Sequence, residues 1–415
     1  MEAYAPPRKA SLSSTDGFCA ATNGAQPDSL EGIAIEEIND PGRLDTLHDP
    51  WTDLLTGNPS DTFFLTWEWG RTWWKHLGKR HVLRILTIRR GGRLIGIAPL
   101  VVVPPQPGRL LPFRTTEFIG RRPVGPDYLD LIVRRGEEAA VVGSLSEHLA
   151  SSPQVVSLGQ VAAGPCPAFS LAQSLEKKGW SVTSRSVGIC PYIGLQGHSW
   201  DSYLASLGAT HRKNVRRRLN KIHRDFDVGF FEAKTEAERR HCLREFVHLH
   251  QKRWRSRGGS NSLTAPEVTL FHDELSRLAL ERGWLRLFVL RLDGRPAACV
   301  YGFFYDRVFY YYQSGFDPEF ARYSVGLVAM ALTIREAIAE GARSYDMLHG
   351  REEYKYLWAN GERGLVAYDC YPPTLRGALA RRMVNTRTAM KSVLRKPPEP
   401  SQAGASFDFR EVGGR

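Results

Sequence analysis

Residues 345–360 read YDMLHGREEYKYLWAN. Asp346 closes a short apolar run that reads as a strand, and His349, two glutamates, two tyrosines, Lys355 and Trp358 follow at once. Gathered beyond a strand end, such side chains can move a proton or hold an anion. Asp346 and His349 are candidate general bases and Tyr354 is a candidate proton donor. A structural account also fits: Asp346 caps the next helix, Tyr354 and Trp358 pack, and the charges face water.

Two other stretches carry charge in a pattern. RYSVG, residues 322–326, opens the apolar run VGLVAMALTIREAIAEG. A helix start presents unpaired N–H groups and a partial positive charge, which suit a phosphate. Ser324 would cap this helix, Gly326 would let a phosphate approach and Arg322 would add charge, although Tyr323 and Val325 stand where glycines would ease that approach. An ordinary capped helix is the alternative. Upstream, HRKNVRRRLNKIHR (211–224) places Val215, Leu219 and Ile222 on one stripe and leaves Arg212, Lys213, Arg216, Arg217 and Arg218 on other faces. That helix could grip a phosphorylated acceptor, a nucleotide sugar, RNA or anionic lipid, or simply face solvent. GPDYLD sets Asp127, Tyr128 and Asp130 around a turn, either as acceptor contacts or as an ordinary polar turn.

The elements that must hold these groups follow from length and pattern. A chain of 415 residues exceeds one ordinary core and suits two domains. A net charge of +12 favours anionic partners. The six cysteines are scattered without a C-x-x-C pair, which argues against a zinc site or a disulfide framework and fits a reducing compartment. No apolar run is long enough to span a membrane and the start lacks a signal-peptide core, so a cytoplasmic location is expected. Residues 1–30 read as a disordered tail. Residues 373–415 read as a basic helix followed by another tail; the helix, from Leu375 to Lys396, suits a solvated surface, with a membrane-surface or partner-binding role as the alternative.

Between the tails the chain repeats itself. His81–Val103 and Trp284–Phe304 are both strand, Gly-containing turn, strand, and aligning Leu83 with Leu285 also matches Arg84 with Arg286, Arg89 with Arg291, and Gly92-Arg93 with Gly294-Arg295. We read a tandem duplication of one α/β unit, the first over 31–188 and the second over 189–372. The tryptophans of FFLTWEWGRTWWKHLG read as core packing on a helix, with a ring-stacking ligand site as the alternative. The second unit shows helices at 236–255 and 266–282, a Gly/Ser loop at 258–262, three antiparallel strands, the apolar helix ended by Gly341, a strand, the opening cluster and a last strand.

That order, with RKNVRRRLNK, GWLRLFVLRLDGRPAA, YYQSGFDPEFARYSVG and YDMLHGREEYKYLWAN, resembles the GNAT-like acyltransferase domain of the CelD (BcsL) family, named for a cellulose-biosynthesis protein and related to the tandem-GNAT Fem peptidyltransferases. FFLTWEWGRTWW and LIGIAPLVVV resemble it more weakly. The resemblance implies an α/β (α+β) tandem GNAT-like fold, with mixed, largely antiparallel sheets flanked by helices and a degenerate first unit. It implies an acyl-CoA donor, such as acetyl-CoA, without a metal. Gln313, Ser314 and Gly315 would lie along the donor's arm, and Arg322, Ser324, Val325 and Gly326 at its phosphates. Arg212, Arg216 and Asp127 would meet an anionic sugar or lipid-linked acceptor. Asp346 and His349 would act as bases, Tyr354 would protonate the leaving thiolate, and Lys355 would stabilise transition-state charge. Polysaccharide biosynthesis is the expected setting, with peripheral association to a membrane synthase and no specific nucleic acid. A Fem-like transfer from charged tRNA and a non-catalytic scaffold are the alternatives.

Overall fold

The computed structural model describes residues 32–105, 113–255, 263 and 265–394. The expected tails at 1–30 and 397–415 and the Gly/Ser loop lie outside them. Among the described residues of the first half seven strands form: β1 (Ile33–Ile38), β2 (Val82–Arg90), β3 (Arg93–Val103), β4 (Thr115–Phe118), β5 (Ile132–Val133), β6 (Val155–Ala162) and β7 (Ser181–Gly194). Six follow: β8 (Val228–Glu232), β9 (Leu285–Leu292), β10 (Arg295–Tyr305), β11 (Val308–Phe316), β12 (Ser344–Asp346) and β13 (Gly361–Tyr371).

The repeated hairpins are β2–β3 and β9–β10. Their turns, Gly91-Gly92 and Asp293-Gly294, hold both residues at positive φ. Turns of that hand match the twist of the paired strands, and glycine adopts them without strain. Each hairpin follows a first strand and a run of helices, and each unit then adds a strand, a helix, a parallel strand, a second helix and a last strand.

The two units share one sheet, in the order β1-β2-β3-β4-β6-β13-β7-β12-β11-β10-β9-β8, with β5 paired to β3. Among the described residues only β4 with β6 and β11 with β12 run parallel. The last strands are exchanged: β13 pairs with β6 of the first unit, and β7 pairs with β12 of the second. The boundary expected after residue 188 falls inside β7.

Packing explains the helices. The helix Val325–Ala339 is buried on nearly every side, as its apolar sequence requires, and covers one face of the second unit's sheet. Gly341 follows it at φ 80°, the left-handed position a helix end favours. On the opposite face lie the helices Glu236–Arg255 and Pro266–Glu281. The tryptophan helix, Trp67–Leu77, buries Trp69 and Trp73 and sets Trp69 edge-on to Phe271, with ring centroids 5.3 Å apart. Beside it Glu274 meets Arg71, Lys75 and His76, each at 2.6 Å. The tryptophans thus join the two units.

Candidate active site

The site begins where two parallel strands part. β11 and β12 pair from Val308↔Ser344 to Tyr310↔Asp346. There β12 ends, the chain turns through Leu348 at φ 55°, and β11 runs on to Phe316. Beside the unpaired stretch is a narrow cleft. Ala298, Val300 and Tyr311 form its sheet side, Gly326, Ala329 and Met330 its helix side, and Tyr354, Leu357 and Trp358 the far wall. Arg253, Ser314, Gly315 and Phe316 also line it.

The lining is largely apolar, and its polar groups are few and linked. Tyr311 and Tyr354 line the cleft together, beside Ser314. Arg253 donates to the Ser314 hydroxyl at 3.1 Å and to its carbonyl at 3.3 Å, and lies over the Phe316 ring. Burial lifts Tyr354 well above the usual phenol range and raises Tyr311 too. Both phenols stay protonated at neutral pH.

At the start of the helix Val325–Ala339 the structure corrects the sequence reading. Ser324 does not cap it. The residue is buried with left-handed backbone (φ 55°, ψ 45°), whereas a side-chain cap forms from extended backbone. Its carbonyl instead accepts the Val328 N–H at 3.1 Å. The N–H groups of Val325, Gly326 and Leu327 find no acceptor among the described residues. Cations gather nearby. The basic helix, Ala209–Asp225, brings Arg218 onto the Arg322 carbonyl at 2.8 Å and Lys221 to 5.0 Å from the centre of the Tyr323 ring. Arg322 lies over that ring from 4.9 Å.

The start of the basic helix is fixed at the far wall, where His211 meets Trp358 edge-on at 4.5 Å and the Tyr203 hydroxyl donates to the Trp358 carbonyl at 2.9 Å. Arg216 is exposed. Arg212 instead donates to the Ala205 carbonyl at 2.6 Å, capping the preceding short helix.

The opening cluster divides in space. Tyr354 faces the cleft. Asp346, His349 and Lys355 do not line it and hold the junction between the units. Both Asp346 oxygens are engaged: Oδ2 accepts from the Tyr128 hydroxyl at 2.8 Å and Arg363 at 2.7 Å, and Oδ1 from the Leu348 N–H at 2.8 Å. Asp127, also buried, accepts from the His349 N–H at 2.8 Å and the Gln160 amide at 3.0 Å, so it faces the chain itself and not an acceptor. Lys355 donates to the carbonyls of Leu348 (3.1 Å) and His349 (3.0 Å) and pairs with Glu352 at 3.0 Å.

Burial pushes Asp127 up to about 7 and raises Asp346, while burial lowers the half-exposed His349 ring. Tyr128, Gln160 and Leu348, all at φ near +60°, meet here, so the junction also holds backbone strain. The reason for the division is helical geometry: on Glu353–Tyr356, neighbouring residues point about 100° apart, so Tyr354 and Lys355 serve different surroundings.

Of the donor residues expected along β11, Ser314 and Gly315 line the cleft and Gln313 does not. Of those expected at the helix start, Gly326 lines it, while Arg322, Ser324 and Val325 stand behind. Sequence reasoning missed Tyr311 and Arg253. Gly315 was the available signal. A Cβ there would come within 2.6 Å of the His250 backbone nitrogen, so this glycine lets the helix that carries Arg253 close onto β11.

Residues 209–356 match the acetyltransferase (GNAT) domain family. By that domain the protein is an acyltransferase. The matched GNAT segment runs from the basic helix to the helix that carries Tyr354, and so contains most of the cleft lining. No match to a curated protein was found. Among solved structures, FemX shares the fold with a TM-score of 0.56 at 13% identity, over 80% of this chain and 96% of that one. The C-terminal domain of a protein named as a lysylphosphatidylglycerol synthetase, from Agrobacterium fabrum, has a TM-score of 0.50 at 12% identity, over 83% and 97%. Likenesses at such identity establish the fold, and the expected tandem GNAT-like architecture is the one observed.

Proposed function

We propose that the protein transfers an acyl group from an acyl-CoA to an amine or hydroxyl of an anionic sugar or lipid-linked precursor in polysaccharide biosynthesis. The observation that carries this reading is the cleft at the β11/β12 splay, with open helix-start N–H groups and cations at one end and Tyr354 across from them. An acyl-CoA fits that chemistry. Its phosphates suit the N–H groups of Val325, Gly326 and Leu327 with Arg218, Lys221 and Arg322 nearby, and its acyl chain suits the apolar surface of Ala298, Val300 and Met330.

In this scheme the acceptor's nitrogen or oxygen bonds to the thioester carbon and the C–S bond breaks. The departing thiolate takes the Tyr354 proton, and the proton released by the nucleophile restores the phenol. Arg253 and Ser314 orient the donor along β11. The exposed Lys213, Arg216 and Arg217 would draw in an anionic acceptor. We assign the protein to the cytoplasm and to the CelD-like family as parts of the same proposal.

The test is calorimetric binding of acetyl-CoA and longer acyl-CoAs to the full chain and to Gly326→Trp. Saturable binding lost in the variant supports the reading. No binding of any acyl-CoA overturns it. The exposed cations and the likeness to FemX favour one second reading, transfer from a charged tRNA. That reading would show as tight tRNA binding that weakens steeply with salt.

A further inference from the structure

We propose that the C-terminal helix Leu375–Leu394 is a docking surface for an anionic lipid bilayer. This inference is independent of the donor and acceptor assigned above. In the first half of the helix Ala380 is buried and Arg381 donates to the Ser181 hydroxyl at 2.6 Å, tying the helix to the start of β7. Its outward side carries two exposed leucines where a solvated helix would be polar. Leu375 is 92% exposed and Leu379 52%, and a spacing of four residues stacks them on one face.

Exposed Arg376 and Arg382 flank that pair. From Leu375 to Leu394 the sequence holds five cations (Arg376, Arg381, Arg382, Arg387 and Lys391) and no acid. Such a helix cannot bury its leucines by crossing a bilayer, and among the described residues no helix is long and apolar enough to do so. Lying in the interface it can place the leucines among acyl chains and the arginines at anionic headgroups. Charge identifies the occupant. A second copy would bring another all-cationic helix to the same face, whereas an anionic lipid surface complements it.

The experiment is co-sedimentation of the full chain with phosphatidylcholine vesicles and with vesicles containing about a third phosphatidylglycerol, at low and high salt. Binding only to the anionic vesicles, weakening with salt, is expected. A Leu375→Glu/Leu379→Glu double variant should partition about tenfold or more less well, and Arg376→Glu/Arg382→Glu should lose the salt-sensitive part. Both should keep the wild-type melting temperature and acyl-CoA affinity, because they alter exposed side chains outside the cleft. Absence of binding at low salt, or binding unchanged in the double variant, overturns the proposal. So does a wild-type dimer in light scattering that the leucine variant dissolves, which would assign the face to a second copy.

Discussion

In the first unit the splay between β4 and β6 is closed by the protein's own chain, whereas in the second the splay between β11 and β12 opens onto the cleft. The closing segment is 119–131. Its Leu129 N–H donates to the Gln160 carbonyl at 2.8 Å, just past the last β4–β6 pair, and the Gln160 side chain returns a hydrogen bond to the Pro126 carbonyl at 3.2 Å. Val124, Tyr128, Leu129 and Leu131 are buried there. A strand edge that would otherwise be free is thus satisfied from within. The same segment supports the open site, since the Tyr312 hydroxyl of β11 donates to the Val124 carbonyl and Tyr128 binds Asp346. One copy of the unit has become a brace, and the other keeps room for a ligand.

Four changes would break or sharpen that contrast. The largest effect is expected from Gly326→Trp, which puts an indole into the open cleft. Acyl-CoA binding should fall by at least a hundredfold, read by calorimetry, with the melting temperature little altered. Next, Tyr354→Phe keeps the ring and removes the proton donor. Turnover should drop by about 10²-fold while donor affinity is retained, as expected for a group acting in the transition state.

In the closed splay, Leu129→Ala should cost about 2–5 kcal/mol of stability by chemical denaturation, the usual range for a buried leucine. It should create no second acyl-CoA site. A second equivalent of bound donor would show that the first unit is blocked by packing alone.

The smallest effect concerns pH. Asp127 is raised in the fold to about 7 from an ordinary value of 3.8, so protonation favours the folded state. Stability contributed there is complete below about pH 4 and is lost as pH rises towards 7. Asp127→Asn should flatten the stability–pH profile across that window. An unchanged slope would assign the pH dependence to other raised carboxyls, such as Asp61 or Asp130, each near 6.

Local pattern wrote much of this into the sequence. Alternating and fully apolar runs with positive-φ turns marked both hairpins, and Gly341 marked the end of the apolar helix. The cleft was legible in part, through Ser314, Gly315, Gly326 and Tyr354, because helix starts and strand ends are local features. That Asp346, Lys355 and Asp127 stand outside the cleft was not legible, for the opposite reason. Asp346 is held by Tyr128 and Asp127 by the His349 N–H, each across more than two hundred residues of sequence, and nothing in the spacing near Asp346 points to Tyr128. Arg253 went unread with Gly315 as its one local trace, since its place depends on how a helix crosses β11. The strand exchange also went unread, because β7 and β13 carry no mark of which unit they will join.

That exchange has a consequence for how the protein is made. β6 must wait for β13, which pairs with it across more than two hundred residues of sequence, as in Val156↔Cys370. During synthesis the first half emerges with that edge unfilled and cannot complete its sheet until almost the whole chain has been translated. Long-range pairing of this kind slows folding. It also means that a ribosome stalled in the second half leaves a sticky, unfinished first half, so the nascent chain rather than the mature enzyme is where this architecture is most exposed to aggregation.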